Sequence, residues 1–499
     1  MPAPSSESLG DRLSFLLPKS KLYSYLDFQT VKLGVIPLHI SSIVLAAGLG
    51  KRMKSKLYKV LHPVCGKPMV GHVLDALTQV PVDRNVVVVG HGAEAVKSYL
   101  GDKVEFALQA EQLGTGHAVM QARSLLEQEQ GITIVACGDS PLIRASTLKS
   151  MVELHQQEQA AVTILTAEVA DPQGYGRVIR DENGLVVAVV EQKDCTPEQA
   201  GIREINAGTY CFDTQLLFEA LDKVTNHNAQ QEYYLTDVIQ ILKNEGKRIV
   251  AYRTDDPSEA VGVNDRAALS MAERLMRERL IREHMVNGVT VIDPANTYIE
   301  KDVQIGPDTV LLPGCMIRGG TVIGSECVIG PYTEIDDCII GDRVTIRHSV
   351  LTEAKVGHDV NIGPFAYLRP GTQLADKVKI GDFVEVKNSI VGEGSKIPHL
   401  SYVGDARVGV SVNIGCGTIT CNYDGLNKSV TEIGDGAFIG SNSNLVAPVK
   451  IGKDAYVVAG STITKDVGDG DMAIARERQV NKPGYAAILR SRLQAKKPT

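Results

Sequence analysis

Hydrophobic and polar positions change rhythm twice along this chain. Between residues 42 and 165 short apolar runs recur at 42–47, 86–89, 104–108, 132–136 and 162–165. Stretches of helical texture at 69–79 and 118–129 separate several of them. Apolar strands alternating with helices predict a mostly parallel sheet covered on both faces. In such sheets ligands bind beyond the carboxyl ends of the strands. The rhythm then becomes helical: Leu269, Ala272, Met276 and Leu280 recur at spacings of three and four with Arg and Glu between them. This predicts one long helix over 265–286, stopped at Asn287-Gly288 and joining the two halves of the chain.

After Gly288 an Ile-Gly or Val-Gly pair recurs, with glycine at 306, 324, 330, 341, 357, 363, 381, 392, 404, 409, 415, 434, 440 and 452. Many of the gaps are six residues or a multiple of six, the period of a hexapeptide repeat. Three hexapeptides make one triangular coil with the aliphatic residue inside and the glycine relieving the corner. A single coil cannot bury its own faces, so coils stack into a left-handed parallel β-helix. The longest interruption, 416–433, contains Asn422-Tyr423-Asp424-Gly425 and predicts a projecting loop on a binding face. The expected organisation is an extension over 1–40, an α/β domain over 41–264, a linker helix over 265–287, and the β-helix with its tail over 288–499.

A chain of 499 residues is too long for one ordinary core, and 43% hydrophobic with 22% charged residues is the profile of a globular protein. The net charge of -7 argues against a nucleic-acid binder, which would carry a basic face. No run of 18 apolar residues predicts a membrane span. Nine cysteines without a Cys-x-x-Cys pair or zinc spacing read as reduced, mostly buried thiols of a cytosolic protein. The first 40 residues lack a signal-peptide core and contain Glu7, Asp11 and Asp27. They are expected to be a disordered extension or to reflect an upstream start. The basic stretch 490–497 reads as a solvated, frayed terminus.

The first strand runs into Leu45-Ala46-Ala47-Gly48-Leu49-Gly50-Lys51-Arg52-Met53, with Lys59 seven residues beyond Arg52. Small residues let a backbone approach a nucleotide, and the two cations suit a triphosphate. The same residues also fit a plain strand–helix turn. Asp139 closes the strand at 132–136, where a carboxylate is placed to bind Mg²⁺ or to cap a helix. Asn264 offers a second oxygen, or another cap. Among the hexapeptides, Arg369, Glu385, Lys387, His399 and Tyr402 interrupt the aliphatic pattern. A histidine suits removal of a proton from an attacking amine, and Arg369 and Lys387 suit a sugar phosphate. A surface histidine at a coil corner is the plain alternative.

Taken in order, the glycine-rich loop, Gln109-Ala110-Glu111-Gln112-Leu113-Gly114-Thr115-Gly116-His117, Gly174-Tyr175-Gly176-Arg177, Glu191-Gln192-Lys193-Asp194 and Glu204-Ile205-Asn206-Ala207-Gly208 resemble a known family. It is that of the bifunctional N-acetylglucosamine-1-phosphate uridyltransferase/glucosamine-1-phosphate N-acetyltransferases. The segment from Asn413 to Gly425 carries the same resemblance, which covers roughly residues 41–480. It implies an α/β nucleotidyltransferase with a Rossmann-like, mostly parallel sheet, followed by a left-handed parallel β-helix of hexapeptide repeats. By resemblance, Leu45, Ala46, Ala47, Gly48, Gln109, Gly114 and Thr115 hold the uridine nucleotide, and Arg52 and Lys59 its phosphates. Asp139 and Asn264 bind Mg²⁺. Gly176, Glu191 and Asn206 hold N-acetylglucosamine.

In the second half, the resemblance makes His399 the general base, with Glu385 orienting it. Arg369, Lys387, Tyr402, Asn413 and Lys428 hold glucosamine 1-phosphate. Cys416, Asn422, Tyr423, Ser441, Ala459 and Arg476 meet acetyl-CoA. Cys416 is not needed as a nucleophile, because direct transfer requires no thiol. The implied substrates are UTP, acetyl-CoA, glucosamine 1-phosphate and N-acetylglucosamine 1-phosphate, and the implied assembly is a homotrimer in the cytoplasm. Two residues depart from the family pattern. Tyr58 stands where many members have proline, and Cys137 where a tyrosine is frequent, which puts the loop geometry in question. The competing readings are a single-activity nucleotidyltransferase with the β-helix as an oligomerisation module, and a non-catalytic assembly protein built on the same folds.

Overall fold

The computed structural model describes residues 39–90 and 93–496. All but the last two residues of the extension expected over 1–40 lie outside the described residues. In the first half, strand β1 (His39–Ala46) is followed by the short hairpin β2 (Pro63–Val64) and β3 (Lys67–Pro68). Helix α1 (Met69–Thr78), β4 (Arg84–Val89), α2 (Ala93–Leu100), β5 (Glu105–Leu108), α3 (Thr115–Met120), α4 (Arg123–Leu126), β6 (Gly131–Cys137) and α5 (Ala145–Gln157) come next. Then follow β7 (Val162–Glu168), β8 (Arg177–Arg180), β9 (Val186–Val190), α6 (Pro197–Ala200), β10 (Glu204–Asp213), α7 (Thr214–Leu221), α8 (Asp237–Asn244) and β11 (Ile249–Arg253).

The main sheet runs β11-β7-β10-β6-β1-β4-β5. Its strands are parallel except β10, which opposes β6 and β7 and carries the β8–β9 hairpin. Each central strand feeds two cores. Ile132, Ile134 and Ala136 pack to one side of β6 and Val135 to the other, as burial on both faces requires. The stretch expected as one helix over 118–129 is broken into α3 and α4. Shorter turns, Gln121 N–H to the Ala118 carbonyl and Ala122 N–H to the Val119 carbonyl, replace its α-helical bonds there.

Helix α9 (Arg266–Val286) joins the halves. Asp265 caps it by accepting from the Ala268 N–H, and Gly288 follows its end at φ 95°, a conformation that suits glycine. Beyond it, every strand pairs in parallel with the strand one coil on. One column runs Leu311, Ile329, Ile346, Ile362, Ile380, Ile397, Ile414 and Ile439, each at most 2% exposed. The repeat therefore closes into a β-helix whose interior is a stack of aliphatic layers. Coils step by 16 to 18 residues until Asn413, which pairs with Phe438, so this coil carries the insertion. The projecting part is narrower than the interruption read from sequence, because Ile419–Cys421 is still a strand. The tail beyond the β-helix differs from a frayed terminus: α10 (Tyr485–Gln494) is a helix with no buried residue. No described helix is long and apolar enough to cross a membrane.

Candidate functional site

The carboxyl ends of β1 and β6 open onto a cavity of about 230 Å³ lined by Leu45, Ala47, Gly48, Gln109, Gly114, Thr115, Cys137 and Asp139, among others. The resemblance assigned six of these to the nucleotide and Asp139 to the metal. Gly114 is required here: its φ is 115°, and a Cβ would lie 2.5 Å from the Tyr233 carbonyl oxygen. The Gln109 amide donates to the Gly114 carbonyl at 3.1 Å, and the Thr115 hydroxyl accepts from the Leu235 N–H at 3.1 Å. Ala46 contributes backbone only, since its carbonyl accepts the Tyr58 hydroxyl at 2.8 Å. Tyr58 sits at φ -62°, an angle a proline would share, so the backbone here is one that either residue adopts. Cys137 lines the cavity with its thiol against the Gly208 carbonyl, and burial pushes that thiol up to about 12.

At the mouth of the cavity four side chains meet. Lys59 Nζ pairs with Asp139 Oδ2 and donates to Asn264 Oδ1 at 2.8 Å, and Arg52 donates to the same Asn264 oxygen at 2.9 Å. The Val263 N–H donates to the Asp139 carbonyl at 2.9 Å, so one backbone bond locks the two oxygen-bearing loops together. Two oxygens that share one ammonium donor stand close enough to share a cation. One carboxylate and one carboxamide suit Mg²⁺, which keeps most of its waters.

The sugar-binding candidates come from three segments. Gly176 accepts the Asn206 N–H at 2.9 Å, and Asn206 donates from its amide to the Tyr210 hydroxyl at 2.6 Å. Glu191 accepts the Thr236 hydroxyl at 3.2 Å, and burial raises its carboxyl above the ordinary range.

The β-helix carries the second constellation around one corner. His399 lies in strand Lys396–Gly404, and its coil neighbour on Lys379–Lys387 is Asp382. His399 Nδ1 stands 2.7 Å from Asp382 Oδ1. Glu385, expected to orient the histidine, instead accepts Arg369 at 2.7 Å and pairs in register with Tyr402. Three residues along a strand that bends round a corner place it on the next face.

On that face Asp405 is the hub the sequence did not mark. It accepts the amides of Asn388 and Asn422, and Lys387 Nζ lies 3.8 Å away. Burial alone would raise its carboxyl. The bonds from Asn388 and Asn422, with Lys387 and Lys428 nearby, hold it below the usual range. Tyr423 and Lys428 bridge across the small hairpin after Asn422, which closes through the Asn422 carbonyl and the Ser429 N–H at 2.9 Å. Arg369, Lys387, Tyr402, Asn422 and Lys428 thus gather on the face that follows the His399 corner.

Asn413 does not join them. It pairs in register with Lys396 and Phe438, on the face before the corner. Cys416, Ser441 and Ala459 are exposed in successive coils of the His399 corner. The links along it are Gly417 N–H to the Leu400 carbonyl, Asn442 N–H to the Cys416 carbonyl and Gly460 N–H to the Ser441 carbonyl, at 2.7 to 2.9 Å. Arg476 follows, its side chain beside Gly460. All nine cysteines are free, and Cys416 is the exposed one.

Comparison with known proteins bears on both halves. Residues 41–258 match the nucleotidyl transferase family, and residues 320–352 and 431–465 match the bacterial transferase hexapeptide repeats. A bifunctional protein GlmU of Geobacillus sp. (strain WCH70) is 58% identical over 448 residues, covering 90% of this chain and 98% of that protein. The bifunctional protein GlmU of Brevibacillus brevis is 56% identical over 447 residues, covering 90% and 97%. That of Listeria monocytogenes serotype 4b (strain F2365) is 56% identical over 448 residues, covering 90% and 98%. With both halves matched in order and nine-tenths of the chain aligned, the chain belongs to the family of bifunctional GlmU proteins.

Proposed function

We propose that the two clusters described above are the two active centres of this enzyme, with the residue roles that follow. The chain is a bifunctional transferase of UDP-N-acetylglucosamine synthesis. It acetylates glucosamine 1-phosphate from acetyl-CoA and then transfers a uridylyl group from UTP to the product.

In the first centre an oxygen of the sugar phosphate attacks the α-phosphorus of UTP, and the bond to the β-phosphate breaks with release of pyrophosphate. Arg52 and Lys59 neutralise the phosphate oxygens, and Gly176, Glu191 and Asn206 hold the sugar in line. Asp139 and Asn264 would hold Mg²⁺, which offsets the charge that develops on the phosphates. In the second centre the carboxylate of Asp382 accepts the Nδ1–H of His399 and so leaves Nε2 free to take the proton of the sugar ammonium. The freed amine attacks the thioester carbonyl, and coenzyme A departs as the thiol once protonated. Arg369, Lys387, Tyr402 and Lys428 grip the sugar phosphate, while the corner from Cys416 through Ser441 and Ala459 to Arg476 receives acetyl-CoA.

The Asp382–His399 contact, at a corner followed by a face that carries Arg369, Lys387 and Lys428, is the observation that carries the bifunctional reading over a β-helix that serves only as a scaffold. Asn413 on a different face from the cations supports a site completed by a neighbouring copy, and so a homotrimer. The compartment proposed for the chain is the cytoplasm. The test is mass spectrometry of the purified chain with glucosamine 1-phosphate, acetyl-CoA, UTP and Mg²⁺. Both N-acetylglucosamine 1-phosphate and UDP-N-acetylglucosamine are expected. Nucleotide transfer only when N-acetylglucosamine 1-phosphate is supplied would make the β-helix a scaffold and sink the role of His399.

A further inference from the structure

Arg177 opens β8 with 1% of its surface exposed. Its guanidinium faces only uncharged oxygens: the Tyr175 carbonyl, Gln192 Oε1 at 2.7 Å and the Ala200 carbonyl at 3.3 Å. Its Nε has no partner among the described residues. Burying a cation without a carboxylate is costly, and an apolar side chain of similar volume would fill the same space at lower cost. Stability alone therefore does not account for this residue.

What the guanidinium holds does. Tyr175 lies in the loop that presents Gly176, and Gln192 directly follows Glu191. Gln192 Oε1 also accepts the Gly174 N–H at 3.0 Å, so one amide oxygen is shared between Arg177 and the loop. Gly176 in turn accepts the Asn206 N–H. The three residues assigned to the sugar sit on three separate segments, and Arg177 stands behind the junction of all three. Lysine would not replace it. Acceptors on three separate segments need the flat, many-donor fork of a guanidinium, and bonds from a charged donor hold carbonyls more firmly than neutral ones.

We propose that Arg177 is a positioning residue for the sugar 1-phosphate, fixing the spacing of Gly176, Glu191 and Asn206 without touching the sugar. This rests on the assignment of those three residues to the sugar. The test uses the full chain and the variants Arg177→Lys, Gln192→Ala and Asn206→Ala. It measures KM for N-acetylglucosamine 1-phosphate, KM for UTP and kcat, with Tm as the control of folding and acetyl transfer as the control of enzyme concentration. Arg177→Lys and Gln192→Ala are each expected to raise KM for the sugar phosphate about 10-fold, with KM for UTP changed by less than about twofold and acetyl transfer intact. If Asn206→Ala leaves KM for the sugar phosphate unchanged, the sugar assignment itself is wrong. If Asn206→Ala raises it while the other two do not, the assignment stands and the inference about Arg177 is overturned. Equal rises in both KM values with a lowered Tm would also overturn it, because that is what a purely structural residue does. Gln192 is only half-buried, so its variant decides the matter should Arg177→Lys fail to fold.

Discussion

His399 Nδ1 lies 2.7 Å from Asp382 Oδ1, although the two residues are 17 positions apart and on neighbouring coils. The carboxylate fixes which ring nitrogen is free. Asp382→Asn is therefore expected to lower kcat for acetyl transfer by about 10-fold to 100-fold, and His399→Ala by about 100-fold to 10,000-fold. Uridylyl transfer by both variants should equal that of the parent. An Asp382→Asn enzyme with full acetyl transfer would show that the pair is only a surface contact.

Lys59 donates to the very oxygens offered to the metal. Its replacement by methionine should act in two directions. Uridylyl transfer should fall by about 100-fold, since a charge on the transferring phosphates is lost. Binding of Mn²⁺ to the nucleotide-free chain, read by electron paramagnetic resonance, should tighten, because the competing ammonium is gone. Weaker Mn²⁺ binding would place the metal elsewhere.

Burial raises the carboxyl of Glu191 in the folded chain, so the folded state disfavours its charged form. The sign follows. Below the unfolded pKa of about 4.3 both states are protonated and there is no penalty; the penalty grows as pH rises through the folded value and is complete above it. Glu191→Gln should thus have the higher Tm at neutral pH, with the advantage vanishing towards pH 4. The same variant should raise KM for N-acetylglucosamine 1-phosphate. A lower Tm at neutral pH would show that the charge is compensated in the fold.

Cys416 is exposed on the corner assigned to acetyl-CoA, whereas Cys137 is a half-buried thiol that desolvation pushes up to about 12. Iodoacetamide at neutral pH should label Cys416 first and leave Cys137 untouched, because only a thiolate reacts. Coenzyme A should slow that labelling. Peptide mapping checks both statements, and no protection by coenzyme A would remove Cys416 from the site.

Much of this was legible in the chain itself. The six-residue spacing of Ile-Gly and Val-Gly pairs sufficed for the β-helix, because its core is one repeated layer. The loop cations and Asp139 were legible because they lie in the glycine-bearing segments that follow the apolar runs at 42–47 and 132–136. Asp382 and Asp405 were not. Their partners lie one coil away, and coils of 16, 17 and 18 residues cannot be registered against each other without coordinates. Glu385 was given to His399 by the resemblance alone, yet three residues separate one face of the prism from the next. The break at Gln121 and the helix over Tyr485–Gln494 depend on turn bonds and local chain path that apolar spacing does not record.

The corner that carries His399, Cys416, Ser441 and Ala459 makes the fold a ruler as well as a scaffold. Every coil advances it by one strand spacing, about 4.8 Å. An extra coil between Gly288 and Arg347 would lengthen the stalk and leave both centres as they are. The same extra coil between Leu400 and Ser441 would keep every aliphatic layer filled, yet carry the corner proposed for the coenzyme one notch away from the imidazole. With the sites as proposed, acetyl transfer is insensitive to a coil added before Arg347 and sensitive to one added after Leu400, so the chain can change its reach only on the near side of that centre.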